Sequence, residues 1–385
     1  MQSKLTFPEL IGTVIQHQET KRDFKTSTQA NVRLDLARSA IDGPDCDPIY
    51  LVLLAAGTNE LERFRISENA HRQIASRLCI PWKYYARLLG DHPDLIESQV
   101  NALFEREPES RLMRVLDGKV RAFLSERYLR LDNDAVLEEV APLLLEATNR
   151  GDLRVMSGNV DPDRMHIKAI FTGDNLAHEV AQVHGEPRVV RPGFRLSNSE
   201  TGNGSLKIEG FFYDTYCTNG CVWGLDNIFT YKRHHLGGEL IEGAGFEVIS
   251  QETQQKANGA ILSAIRDCMA AVSQPENVER MAESLRRAAS SDPVKHPTGA
   301  VELAVKELDL RETESASILE TFLKDGDFSQ YGLASAVTEL ANDHGERTVD
   351  YQRACELENI GAQILTLGLR QWGRFVEAQP EAMAA

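Results

Sequence analysis

The dipeptide Asp117-Gly118 constrains this chain more than any other feature. It lies between two runs rich in β-formers in RLMRVLDGKVRAFLSERYLRLDN. Both residues tolerate the positive φ that a two-residue hairpin turn demands. A β-hairpin over Arg111 to Arg130 is expected, and the rest of the chain can be read outward from it.

Upstream, a short helix is expected near Phe7 to Gln18. Strands follow around Val32 to Leu36, Ile49 to Leu54 and Glu62 to Ile66. Ser67 offers an N-cap, and Ala70, Ile74, Ala75 and Leu78 recur at helical spacing. Pro81 breaks that helix before a second one carrying Trp82, Tyr84 and Tyr85, so the segment reads as a helical pair.

Downstream, Val136, Leu137, Val140, Leu143 and Leu144 suit a helix, with Pro142 as a kink or a restart. Met165, Ile167, Ala169 and Phe171 then alternate with His166 and Lys168, the period of a sheet with one buried face. The alternation returns in Leu206, Lys207, Ile208 and Glu209. Between them Gly193 to Gly204 is rich in Gly, Asn and Ser, as a tight turn requires. Beyond Gly243 the period becomes helical, as in Ile261, Ile265, Cys268, Met269 and Val272.

The expected fold class is α+β: an antiparallel β-rich core with flanking helices and a helical C-terminal region. The division places an α+β core domain at 1–243, β-rich from about 111, and the helical region at 244–385. A chain of 385 residues is long enough for such a pair of units.

No apolar run is long enough for a signal peptide or a membrane span, so a cytoplasmic protein with no membrane partner is expected. Six cysteines at Cys46, Cys79, Cys217, Cys221, Cys268 and Cys355 are too sparse for a disulfide scaffold. The net charge of −16 argues against a surface that grips nucleic acid all over. Its distribution weakens that objection: from Val301 onward there are 16 acidic and 7 basic residues, whereas Arg111 to Arg130 carries 6 basic against 2 acidic. A local basic stretch of that kind is the footprint of a phosphate contact.

Several segments resemble a family. AHRQIASRLCIPWKYYARLL at 70–89, VRAFLSERYLRLDN at 120–133, GFRLSNSETGNGSLKI at 193–208 and CTNGCV at 217–222 are similar, in this order, to the phage/plasmid-like family of unknown function. The tail YGLASAVTELAN, followed by Glu356 and Glu358, resembles that family's helical C-terminus. The resemblance spans roughly 65–365 and implies a protein carried by phages, plasmids and integrated elements. It brings no catalytic residue with it.

The basic residues favour a nucleic-acid-binding protein, and with the resemblance they imply an accessory protein of a mobile element, acting in recombination or replication by single-stranded DNA binding or annealing. Lys119, Arg121, Arg127 and Arg130 on the hairpin join Arg191, Arg195, Lys232 and Arg233 in the same β core. Tyr128, Phe194, Tyr213, Tyr216, Trp223 and Tyr231 could stack bases, although residues of these types equally fill cores. An annealing role would suit a homo-oligomer. No cofactor is expected.

The alternative is an enzyme of unknown reaction with a site around 198–235. There Asn198 and Glu200 lie in a turn, with Asn219 as a further candidate, and Glu200 would act as acid or base. Cys217, Cys221, His234 and His235 form the one sequence cluster with metal-ligand chemistry, at spacing unlike a structural zinc site. A third reading is an interaction protein that blocks a host defence factor.

Overall fold

The computed structural model describes residues 5–29, 31–35, 50–54, 61–128, 130–215, 220–222, 230–233, 251–341 and 351–380. The strands at 50–54, 220–222 and 230–233 and the first turns of the helix at 251–272 are described by their backbone alone.

The N-terminal part runs α1 (Phe7–Thr20), β1 (Arg22–Ser27), β2 (Val32–Asp35), β3 (Tyr50–Leu54), β4 (Leu61–Ile66), α2 (Glu68–Arg77), α3 (Trp82–Asp91), α4 (Pro93–Arg106), β5 (Ser110–Leu116) and β6 (Lys119–Ser125). Its six strands form one sheet in the order β1-β5-β6-β4-β3-β2. All pairings are antiparallel except β4 with β6. The hairpin is present as expected, with φ of 50° at Asp117 and 71° at Gly118. Strand β1, which no alternation announces, pairs with β5 along its whole length.

Ser67 caps α2 by accepting from the Ala70 amide. Ile74, Ala75, Leu78, Tyr85, Leu88, Ile96, Val100 and Phe104 bury one face of α2–α4 against Phe64, Met113, Val115, Val120 and Phe123 of the sheet.

The second sheet follows α5 (Asn133–Arg150), which continues through Pro142. It holds β7 (Leu153–Val160), β8 (Arg164–Phe171), β9 (His178–Val183), β10 (Glu186–Ser199), β11 (Leu206–Asp214), β12 (Gly220–Val222) and β13 (Thr230–Arg233). The order is β12-β11-β10-β8-β7, with β13 also on β11 and β9 on the first half of β10. One face presents Met165, Ile167, Ala169, Phe194, Leu196, Leu206 and Ile208 to α1 and α5. The alternation seen in the sequence is this face.

The C-terminal helices are α6 (Gln251–Val272), α7 (Pro275–Ala289), α8 (Pro297–Glu307), α9 (Ser315–Asp325), α10 (Gln330–Glu339), α11 (Tyr351–Leu365) and α12 (Leu369–Val376). Their largest core also takes in Val180, Val190 and Phe212 of the second sheet. The architecture is α+β. Among the described residues no helix is long and apolar enough to cross a membrane.

Candidate nucleic-acid interface

Two sets of basic residues marked by the sequence are folded inward, and the cause differs between them. On the hairpin, the register slips between Arg114 and Val115, so that Ala122 opposes Arg114 and Val120 opposes Val115. Arg121 is the extra residue of this bulge, and a bulge re-aims a side chain. Arg121 is only 2% exposed, and its guanidinium is bonded to the Glu200 carboxylate and to the Pro162 carbonyl at 2.9 Å. The expectation that Arg121 meets phosphate from an open hairpin face is corrected by that geometry.

Behind Arg121 lies a charged junction between the two sheets. Arg114 on β5, fully buried, donates to Asp23 at 3.0 Å, to the Glu200 carbonyl at 2.8 Å and to Asp132 at 2.6 Å. The other Glu200 oxygen accepts from the Asn133 amide at 2.6 Å. Asn198 donates to the Leu131 carbonyl at 3.0 Å and to Asn133 at 2.9 Å. With both carboxylate oxygens engaged and 4% exposure, Glu200 is a structural tie rather than an accessible acid or base.

Asp132, Asp134 and Glu200 together have the donor set of a cation site. The Lys21 ammonium already occupies that position, 2.8, 3.5 and 4.0 Å from the three in turn. Burial opposes the charge on Asp132, but Arg114 and Lys21 outweigh it and hold its pKa down to about 2. The cations Lys21, Arg114, Arg121 and Arg130 balance Asp23, Asp132, Asp134 and Glu200 one for one. This junction is neutral and offers nothing to an incoming anion.

The polar face of the second sheet is also closed. Arg195, 3% exposed, stands beside Lys168 on β8 and Glu209 on β11. It donates to Glu209 at 2.8 Å, and from α11 to Glu358 and Asn359 at 3.2 Å each. Lys168 is bonded to the same Glu358 and sits 4.8 Å from the Phe211 ring centroid. Helix α11 is anchored by Leu357, Ile360 and Ile364 in the core, so it is a fixed cover. Burial, with Arg195 and Arg164 nearby, lowers the His166 pKa to about 3 and keeps the ring neutral.

Arg191 is spent on the Thr172 and Gly173 carbonyls at 2.7 and 3.0 Å. Phe194 and Tyr213 are buried, so they are core rather than stacking platforms. Lys119 and Arg127 are exposed, and Arg130 is half-exposed, 3.5 Å from Asp23. Lys232 and Arg233 lie opposite Lys207 and Leu206 by backbone register. The side chains of Lys232, Arg233 and Cys221, and all of Cys217, Asn219, His234 and His235, lie outside the described residues.

The basic and aromatic surface that remains open is on α2 and α3. Lys83 and Arg87 are exposed one turn apart on α3, next to Tyr84 at 47% exposure. The Arg72 guanidinium of α2 lies 4.2 Å over the Trp82 ring and is held there by Glu68 at 2.6 Å. Among the described residues no carboxylate lies within ion-pair distance of Lys83 or Arg87. Tyr85 ties α3 to α2: its buried hydroxyl bonds His71 Nδ1 at 2.9 Å, and its ring stacks on Trp82 at 5.8 Å.

In the sequence this surface is overshadowed by the hairpin, whose basic count is higher. The available signal was Lys83 and Arg87 at i, i+4 among aromatics, on a helix with no acid in its first turn. No family model, curated protein or solved structure matches this chain.

Proposed function

We propose that this chain is a nucleic-acid-binding protein whose contact surface is the outer side of α2 and α3, with an accessory role in a mobile element as the family resemblance implies. The observation that supports this reading is the exposed pair Lys83 and Arg87, with no carboxylate within ion-pair distance among the described residues, beside Tyr84 and the Arg72–Trp82 stack. Like charges one helical turn apart cost about 0.2–0.5 kcal/mol. Lys83 also lies in the first turn of α3, where the helix dipole favours anions. Both costs are offset when a polyanion lies against the helix, and exposed aromatics add stacking or sugar contact.

The sheet-lined route to single-strand binding is less well supported, since Arg121 and Arg195 are buried in ion pairs. With an overall charge of −16, affinity should rest on this local patch and fall steeply with salt.

Fluorescence anisotropy with labelled single-stranded and duplex DNA across a salt series tests the reading. Wild type should bind at low salt, and K83A/R87A should bind more weakly with a salt slope shallower by about 2. Absence of binding to any DNA or RNA at low salt would sink it.

A further inference from the structure

The way α2 and α3 are joined carries more than a charged surface does. Helix α2 ends at Arg77 and α3 begins at Trp82, leaving Leu78, Cys79, Ile80 and Pro81 as the turn. The Ile80 amide donates back to the Ala75 carbonyl at 2.9 Å and the Cys79 amide to the Ser76 carbonyl at 3.2 Å. That closure needs a left-handed residue at its centre, and Cys79 supplies it with φ of 53°.

The buried positions follow the turn. Ile74, Ala75 and Leu78 on the first helix, Ile80 in the turn, and Tyr85 and Leu88 on the second all belong to one core. The apolar period is interrupted once, at the turn, and resumes on α3 with a new direction. Helix α4 starts directly after α3 and lies behind the pair with Ile96, Val100 and Phe104 in the same core. Two helices joined by a four-residue turn, locked by shared core residues and backed by a third helix, have the anatomy of a helix-turn-helix unit.

In such a unit the second helix is the one free to enter the major groove, which is about 12 Å wide and admits a helix. The outward side of α3 fits that task. Lys83, Arg87 and Gly90 are exposed and follow each other at i, i+4 and i+7 along one stripe. Nothing lies within 4 Å of where a Cβ on Gly90 would sit, so the absent side chain serves no internal packing. It leaves the backbone of α3 bare between Arg87 and the exposed Asp91 that ends the helix.

We propose that α2 and α3 form a helix-turn-helix unit that binds duplex DNA, with α3 in the major groove. Lys83 and Arg87 reach base edges and flanking phosphates, and Arg72, halfway along α2, contacts the backbone. This rests on the nucleic-acid reading above and adds to it the duplex form, the groove and the recognition helix.

The test uses the full-length chain and a labelled random-core duplex. Unlabelled duplex and each of its single strands compete, and a random duplex pool is selected for binders. Three proteins are compared: wild type, K83A/R87A and Gly90→Gln. The last adds neutral bulk at a site with room for it in the fold.

Duplex should compete at least about tenfold better than either strand, and selection should enrich a short motif. Both variants should lose about tenfold or more in duplex affinity with no fall in thermal midpoint. Single strands competing as well as duplex, or Gly90→Gln binding like wild type, would overturn the helix-turn-helix assignment and leave the broader reading standing. Failure of wild type to bind any nucleic acid would remove both.

Discussion

The Arg121 guanidinium and the Glu200 carboxylate, 79 residues apart in the chain, form an ion pair that is nearly inaccessible to solvent. It ties the bulge of β6 to the turn after β10, and so one sheet to the other. Removing one partner leaves the other charged and buried, which costs about 3–5 kcal/mol. Arg121→Ala and Glu200→Ala should each lower the unfolding free energy by that order, read from urea titrations. The double variant should recover part of the loss, because no lone charge remains. Additive losses in the cycle would show that the pair does not couple the sheets.

What was legible in the sequence was what depends on near neighbours. Asp117-Gly118 fixed the hairpin because the turn selects its residues locally, and the alternation around Ile167 and Ile208 marked a buried sheet face for the same reason. Ser67 was readable as a cap from its position alone. The burial of Arg121 and Arg195 was not readable. The first depends on a one-residue bulge and a partner across the chain, and the second on Glu358, 163 residues away. Basic residues look alike in sequence whether solvent or a carboxylate receives them. The α2–α3 surface was half-legible: the helical pair was evident, but its exposure emerged only once the core showed which faces were taken.

Acid should destabilise the fold in two steps. The His166 pKa, about 3 when folded, lies below its ordinary 6.5, so the unfolded chain binds that proton first. Stability is therefore complete above pH 6.5 and declines as pH falls toward 3, by at most about 2 kcal/mol between pH 7 and 5. Asp132, with a pKa near 2 against the ordinary 3.8, adds a second loss below pH 4. Urea unfolding at pH 7 and pH 5 should show the first step in wild type and a flatter response in His166→Gln. Equal slopes would mean that the ring is protonated in the fold.

Cys79 holds a left-handed conformation that an L side chain adopts at a cost of about 1–2 kcal/mol and glycine adopts freely. Cys79→Gly should raise stability by about 0.5–1 kcal/mol after the larger unfolded-state entropy of glycine is counted. The side chain is exposed, so no core contact is lost. Cys79→Val, branched at Cβ, should lower the thermal midpoint instead. Opposite signs for the two variants in one thermal scan would confirm that backbone conformation, and not the thiol, sets this position.

Glu358 is the carboxylate through which α11 closes the polar face of the second sheet, with Lys168 on one oxygen and Arg195 on the other. Glu358→Gln keeps the shape and one hydrogen bond but leaves Arg195 with Glu209 as its carboxylate and takes the carboxylate from Lys168, while Glu358→Ala removes the bridge entirely. The Ala variant should lose about 3 kcal/mol or more and the Gln variant less, read from urea midpoints. Because Leu357, Ile360 and Ile364 still anchor the helix, both variants should unfold in a single transition. Amide exchange at Arg195 and Lys168 should quicken in the Ala variant if the helix is the cover. Unchanged protection there would show that the sheet holds its face closed without α11.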